Sequence, residues 1–331
     1  MGEARAPPVV VGAPAGCVSA QSVAGAIGLA LLLAGCSRAA PELGAADYAA
    51  LRLPAVCAPN ERPGGGGATD RLRTSHGIAY SIRTPSNYDP TRAHPLLVVY
   101  APAGRHRFAS EAFYRLTGAA TAAGFIVAHP DHVKPSLRAF DELGRIPALV
   151  AERWCVDRAR IYLAGHSDGG TTAAALAFLG KSQPPPRGVA ISAAGIRAQD
   201  LRDYACPPPL SVMVVHSRAD ALFPPPDYGE HAARWWAACN GCEAVAGARD
   251  DDGCAEYRGC APGARTRYCE ADNAHHQWPS VNRTIVRFFG TTEPGSRNSG
   301  AVLQKPGAAS PVVENSAAAP TASTVASRGR W

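Results

Sequence analysis

The chain has 331 residues, 46% of them hydrophobic and 18% charged, enough for one large core or two modest ones. Its formal charge of +6 comes from scattered basic residues, with no Lys/Arg run and no interleaving of aromatic and basic side chains, which argues against a nucleic-acid partner. The 29 prolines and 33 glycines imply many turns and loose ends.

The first element in chain order is the apolar run VAGAIGLALLLAGC at residues 23–36. It is too short to span a bilayer comfortably and has the form of a signal-peptide core, with a buried core helix as the plainer alternative. Leu33-Ala34-Gly35-Cys36 resembles a bacterial lipobox, which implies cleavage before Cys36 and lipidation of its thiol. Residues 1–35 then form a lipoprotein signal peptide. The lead-in departs from the pattern, because Arg5 is its only basic side chain and Glu3 offsets it. A start further downstream or an ordinary signal peptide would account for that. The expectation is an exported protein, anchored to a membrane as a lipoprotein at the periplasmic face or cell surface, otherwise secreted.

Residues 36–70, with ERPGGGG near their end, read as a flexible tether in which Cys57 is pinned to the core. Residues 71–290 hold the alternating pattern of a single catalytic domain. Residues 291–331 have no apolar period and almost no aromatics, as in a disordered tail. Of the ten cysteines, processing removes Cys17 and uses Cys36, leaving an even set for disulfides in an oxidising compartment. Their connectivity is open. Cys239 and Cys242 form a C-x-x-C, and zinc is the alternative reading, but the later spacings are irregular. A stapled loop beside the active site is the expected role.

Strands are expected at 78–83, 96–101, 125–129, 160–164, 188–192, 211–216 and 266–270. Helices are expected at 109–123, 137–154, 168–179, 229–239 and 280–289. Runs such as PLLVVYA and LSVMVVHS are apolar throughout, as in strands covered on both faces. The alternation predicts an α/β fold, a mostly parallel central sheet with helices on both faces. Right-handed crossovers then align the strand C-termini along one ligand-binding edge.

Gly165-His166-Ser167-Asp168-Gly169 sits between one such strand and a helix. That is the context of a nucleophile elbow, where Gly165 and Gly169 leave room for a tight turn that carries Ser167 at its apex. The Asp168 N–H, opening the helix, would face an oxyanion. A Gly-rich turn with a solvated serine is the plain alternative. The acid should follow a late strand, and Asp220 does so in VMVVHSRADALFPP, with Asp203 and Asp227 as weaker rivals. The base should come last, and His275 and His276 adjoin in NAHHQWPS, so that only one can face the serine. His129, Asp131 and His132 could ligate a metal, but loop residues after a strand are the better reading, and no metal is expected.

These residues carry a resemblance. Residues 77–289, through TPSNYDPTRAHPLLVVYAPAG, WCVDRARIYLAGHSDGG, HSRADALFPPPDYG, WWAACNGC, CAEYRGC and NAHHQWPSVN, resemble exported esterases of the polyhydroxybutyrate depolymerase and feruloyl esterase group, within the α/β-hydrolases. The resemblance implies an α/β-hydrolase fold and hydrolysis of carboxylic esters without metal or cofactor. Its His-x-Trp-Pro motif aligns with His276, Trp278 and Pro279, so Ser167, Asp220 and His276 carry over as the triad. The sequence departs from the group at Ala101-Pro102, where His-Gly is usual, and at Ser217 and His275, where glycine is. Pro102 has no N–H, so Ala103 or Gly104 serves instead as the second oxyanion donor, with Ala103 the first choice. A lost donor costs about 3 kcal/mol of transition-state stabilisation. The expected substrate is a feruloyl or acetyl ester of a polysaccharide, or a polyhydroxyalkanoate-type ester. A prolyl-oligopeptidase-type peptidase shares the residue order, but no propeller-like region supports it. A weak or inactive hydrolase-fold surface lipoprotein that only binds is the alternative from another class.

Overall fold

Residues 56–290 are described by the computed structural model. The signal peptide, Cys36, the first part of the tether and the 291–331 tail lie outside the described residues. Nine strands form one sheet there: β1 (Ala68–Arg73), β2 (Ala79–Arg83), β3 (His94–Tyr100), β4 (Ile126–Pro130), β5 (Val156–His166), β6 (Gly188–Ser192), β7 (Ser211–Ser217), β8 (Cys254–Tyr257) and β9 (Thr266–Ala271). Their order across the sheet is β1-β2-β4-β3-β5-β6-β7-β9-β8. The neighbours from β4 to β9 pair in parallel, while β1–β2, β2–β4 and β8–β9 are antiparallel.

The continuously apolar runs are explained by burial on both faces. In β3, Leu96, Val98 and Tyr100 point into one core while Leu97 and Val99 point into the other. The first core is closed by α3 (Leu137–Leu143), α4 (Ile146–Arg153), α5 (Asp168–Phe178) and α7 (Glu230–Cys239). The second is closed by α1 (Arg107–Tyr114), α2 (Thr117–Ala122) and α8 (Asn282–Gly290). A short α6 (Ala198–Leu201) follows β6. This is the α/β-hydrolase arrangement that the sequence implied.

Two expected helices are each a pair. The first breaks where Arg115 turns left-handed, at φ 49°, and the Asn282 side chain caps the freed Tyr114 and Arg115 carbonyls at 3.0 Å. The second breaks at Gly144-Arg145, because Pro147 cannot donate to the preceding turn and is accepted only at the start of a new helix.

The described end of the tether is part of the domain. Cys57 is bonded to Cys155. The Gly64 N–H donates to the Arg153 carbonyl at 2.6 Å, and the Trp154 indole N–H donates to the Gly65 carbonyl at 3.0 Å. With β1 starting at Ala68, the domain begins ahead of residue 71.

The cysteines pair as Cys57–Cys155, Cys206–Cys239, Cys242–Cys260 and Cys254–Cys269. Such a set belongs to an exported chain that matures in an oxidising compartment. The C-x-x-C is split between two bridges. The staple also differs in place from its expected position: Cys254–Cys269 locks β8 to β9 at the sheet's outer edge, and Cys242 lies by Thr266 where β9 begins. Its effect is to hold the strand whose far end leads to His275.

Candidate active site

Consecutive crossovers diverge at β3 and β5. From β3 the chain crosses to β4 on one side, then returns past β3 to β5 on the other. A crevice opens beyond the C-termini of such a pair. Ser167 follows β5 directly, and the turn of residues 102–105 follows β3.

Ser167 is held at φ 55° and ψ −123°, where a non-glycine residue is strained by about 1–3 kcal/mol. Hydrogen bonds on both sides enforce it: Ser167 N–H to the Ser192 carbonyl at 3.0 Å, and Thr171 N–H to the Ser167 carbonyl at 2.8 Å. The two elbow glycines are there for close approach. A Cβ on Gly165 would overlap the Gly169 carbonyl, and one on Gly169 would overlap the Tyr100 carbonyl. A Gly169→Ala substitution should therefore push α5 off β3. Overpacking of this kind costs about 3 kcal/mol, which for a domain of this size lowers Tm by roughly 6–12 °C. A thermal melt measures it, and an unchanged Tm would refute the steric account of the elbow.

The tight packing also sets the turn after β3 against the start of α5. The Gly104 N–H donates to His132 Nδ1 at 3.2 Å, and His132 Nε2–H donates to Asp168 Oδ2 at 2.9 Å. With the Gly104 N–H so engaged, the N–H left to the exposed tip of the turn is that of Ala103. Asp168 is the first residue of α5, and its N–H has no acceptor in the helix. Burial pushes His129 down to about 3, its Nε2 lies 2.9 Å from the Thr117 hydroxyl, and Asp131 pairs with Arg107. The AHPDH residues thus serve the scaffold separately, and no cluster of three or more metal-ligating side chains occurs among the described residues.

Asp220 is buried in the loop after β7. Its Oδ1 accepts from the Leu222 and Phe223 N–H groups at 3.0 and 2.9 Å. His216 at the end of β7 fastens the loop, Nε2–H donating to the Phe223 carbonyl at 2.8 Å. Burial alone would raise the Asp220 carboxyl, but the Phe223 N–H and the His275 ring outweigh it and hold the carboxyl below the usual range. It stays ionised.

The histidine that meets this acid is His275, not His276. His275 Nδ1–H donates to Asp220 Oδ2 at 2.7 Å, and His275 Nε2 accepts from the Ser167 hydroxyl at 3.0 Å. His276 is exposed to solvent. The assignment of His276 as the base is corrected by one position. The turn closed by Gln277 N–H and the Ala274 carbonyl sends the two neighbours in different directions. Trp278 is fixed on Tyr114 at 4.7 Å, and the ring aimed at Ser167 lies three residues before it rather than two.

A residue not singled out from sequence completes the set. His166, at the end of β5, is buried between the Ser192 hydroxyl and the His275 main chain. A groove of about 600 Å³ opens beside the three residues, lined by Lys134, Asp168, Arg197, Tyr204, Phe223 and Tyr228. The Phe223 ring, part of that lining, stands edge-on to His275 at 5.0 Å.

No family model and no curated protein matches the sequence. Solved structures do match in fold. The chain is similar to an acetyl xylan esterase from Aspergillus awamori, with a TM-score of 0.52 and 12% identity over 68% of this chain and 99% of the other. It is also similar to a thermophilic esterase from the Planctomycetes species Thermogutta terrifontis, with a TM-score of 0.45, 14% identity, 68% of this chain and 91% of the other. A truncated carbohydrate esterase from gut microbiota matches with a TM-score of 0.48, 11% identity, 71% of this chain and 98% of the other. At these identities the likeness is one of fold, the α/β-hydrolase fold described above.

Proposed function

We propose that the protein is an exported serine esterase that hydrolyses carboxylic esters through an acyl-enzyme. The single observation that carries this reading is the unbroken hydrogen-bonded line from Ser167 through His275 to a buried, ionised Asp220. In this reading the Ser167 oxygen attacks the ester carbonyl while its proton passes to His275 Nε2. The N–H groups of Asp168 and Ala103 receive the oxyanion, aided by the N-terminus of α5. The alkoxide departs with the proton from His275. Water, activated by the same ring, then releases the acid and restores the hydroxyl. Asp220 holds the ring in the tautomer whose bare nitrogen faces Ser167.

For the substrate, we favour a feruloyl or acetyl ester of a polysaccharide over a polyhydroxyalkanoate-type ester. The groove beside the triad offers hydrogen-bonding groups and aromatic rings together, which suit a sugar-bearing alcohol. Lipidation at Cys36 would tether the enzyme to a membrane surface.

A fluorophosphonate probe tests the reading. One adduct per chain should form, on the peptide containing Ser167, and Ser167→Ala should abolish it. An intact protein that forms no adduct would instead be the binding lipoprotein, a reading that the missing N–H of Pro102 favours. Product release from acetyl, feruloyl and hydroxybutyryl esters then identifies the acyl group.

A further inference from the structure

His166 takes no part in the proton transfers above, yet it touches the residue that does. It ends β5 and is 2% exposed. Its Nε2 lies 2.6 Å from the His275 carbonyl oxygen, and its Nδ1 lies 3.0 Å from the Ser192 hydroxyl. A carbonyl can only accept, so Nε2 carries the proton and Nδ1 accepts from Ser192. Both ring nitrogens are thereby assigned. The ring is walled by Phe113 at 5.5 Å, Trp278 at 5.9 Å and His275 at 5.4 Å. Burial pushes it down to about 4, which keeps it neutral at ordinary pH.

The base loop has few other ties toward β5. Asn273 donates to the Ala274 and Gln277 carbonyls at 3.1 and 2.7 Å, and these bonds shape the turn internally. The Phe223 ring packs edge-on to the imidazole, not to its main chain. What joins the main chain of His275 to the nucleophile's own strand is the His166 bond.

We propose that His166 is a positioning residue, a neutral strut whose Nε2–H sets the main chain of the base at a fixed distance from the adjoining nucleophile. The proposal rests on the serine-esterase reading. Its logic is a closed circuit. Ser167 and His166 are consecutive, one side chain meeting the His275 ring and the other meeting the His275 carbonyl. Displacement of the base by about 1 Å costs up to about 100-fold in rate, so a strut that removes this freedom acts on kcat more than on substrate binding.

Two variants of the full chain separate the strut from a merely structural core histidine. His166→Leu keeps bulk and loses the donor. Its kcat on p-nitrophenyl acetate should fall roughly 30- to 100-fold, with KM changed less than about twofold. His166→Gln can present an amide N–H near the same place and should recover kcat to within about fivefold of the parent. A parental kcat in His166→Leu would overturn the proposal. So would equal losses in the two variants, since a packing role does not depend on a donor. Where His166→Leu does not fold, a measurement on the parent chain takes its place. Imidazole 15N spectra at neutral pH need no turnover, and a proton on Nδ1 of His166 rather than Nε2 would sink the idea. Ser167→Ala in the same assay keeps the two claims apart. If it hydrolyses the ester as fast as the parent, the esterase reading fails. A Ser167-dependent parent with an unaffected His166→Leu overturns the strut alone.

Discussion

His275→Ala should lower kcat for an activated ester about 10⁶-fold, because base and nucleophile act as a unit and removing either leaves only the oxyanion donors and binding. His276→Ala, one residue away, should leave kcat within about twofold. The contrast follows from geometry. His275 Nδ1 and Nε2 are both engaged, by Asp220 at 2.7 Å and Ser167 at 3.0 Å, whereas His276 is exposed beyond the turn. Steady-state rates on p-nitrophenyl acetate, with far-ultraviolet circular dichroism to establish that both variants fold, measure it. A collapse in His276→Ala with a near-parental His275→Ala would restore the His-x-Trp-Pro alignment and discard the line of hydrogen bonds described here.

That one-residue difference marks where sequence reasoning ran out. The strand–serine–helix order, the acid after β7 and a histidine after β9 follow from apolar runs and chain order, and the structure brings Ser167 and Asp220 together as expected. The choice between adjacent histidines depends on which way a four-residue turn rolls. Here Gln277 closes the turn on Ala274 and His166 pins the His275 carbonyl, and neither bond has a linear signature. His166 itself was visible as the second letter of the elbow motif, but its partner lies 109 positions away. Edge strands were the other loss. In β1, ATDRLR, the only buried residue is Leu72, and β8 has four residues. Such segments bury too little to leave an apolar run. Central strands, buried on both faces, were legible almost to the residue at β6 and β7.

The same comparison shows how the chain distributes control of the site. Ser167 and Asp220 each follow the C-terminal end of a strand, and a buried histidine stands at or next to that end. His166 closes β5 against the base loop, and His216 near the end of β7 closes against the acid loop through the Phe223 carbonyl. Burial lowers the pKa of both rings, so each remains a neutral donor. The strands pair along the sheet, and the loops that carry Asp220 and His275 lie beyond it. A donor at each strand end transfers the precision of the first to the second without placing a charge next to the triad.

Asp220→Asn should retain the fold and still lose about 10⁴ in kcat. The carboxylate now accepts from three N–H groups: Leu222 and Phe223 on Oδ1, and His275 on Oδ2. An amide keeps the two backbone bonds if its oxygen takes the Oδ1 place, and the loop, fastened also by His216, has no reason to move. The NH₂ group then stands where Oδ2 was and faces His275 Nδ1. Two donors cannot pair, so the ring shifts its proton to Nε2, and that nitrogen meets the Ser167 hydroxyl as a donor rather than an acceptor. The nucleophile loses its base while every heavy atom remains close to its place. Melting curves alongside kcat decide the point: a Tm near that of the parent with activity lost places the effect in the tautomer, whereas a large drop in Tm would mean that Asp220 serves the loop rather than the ring.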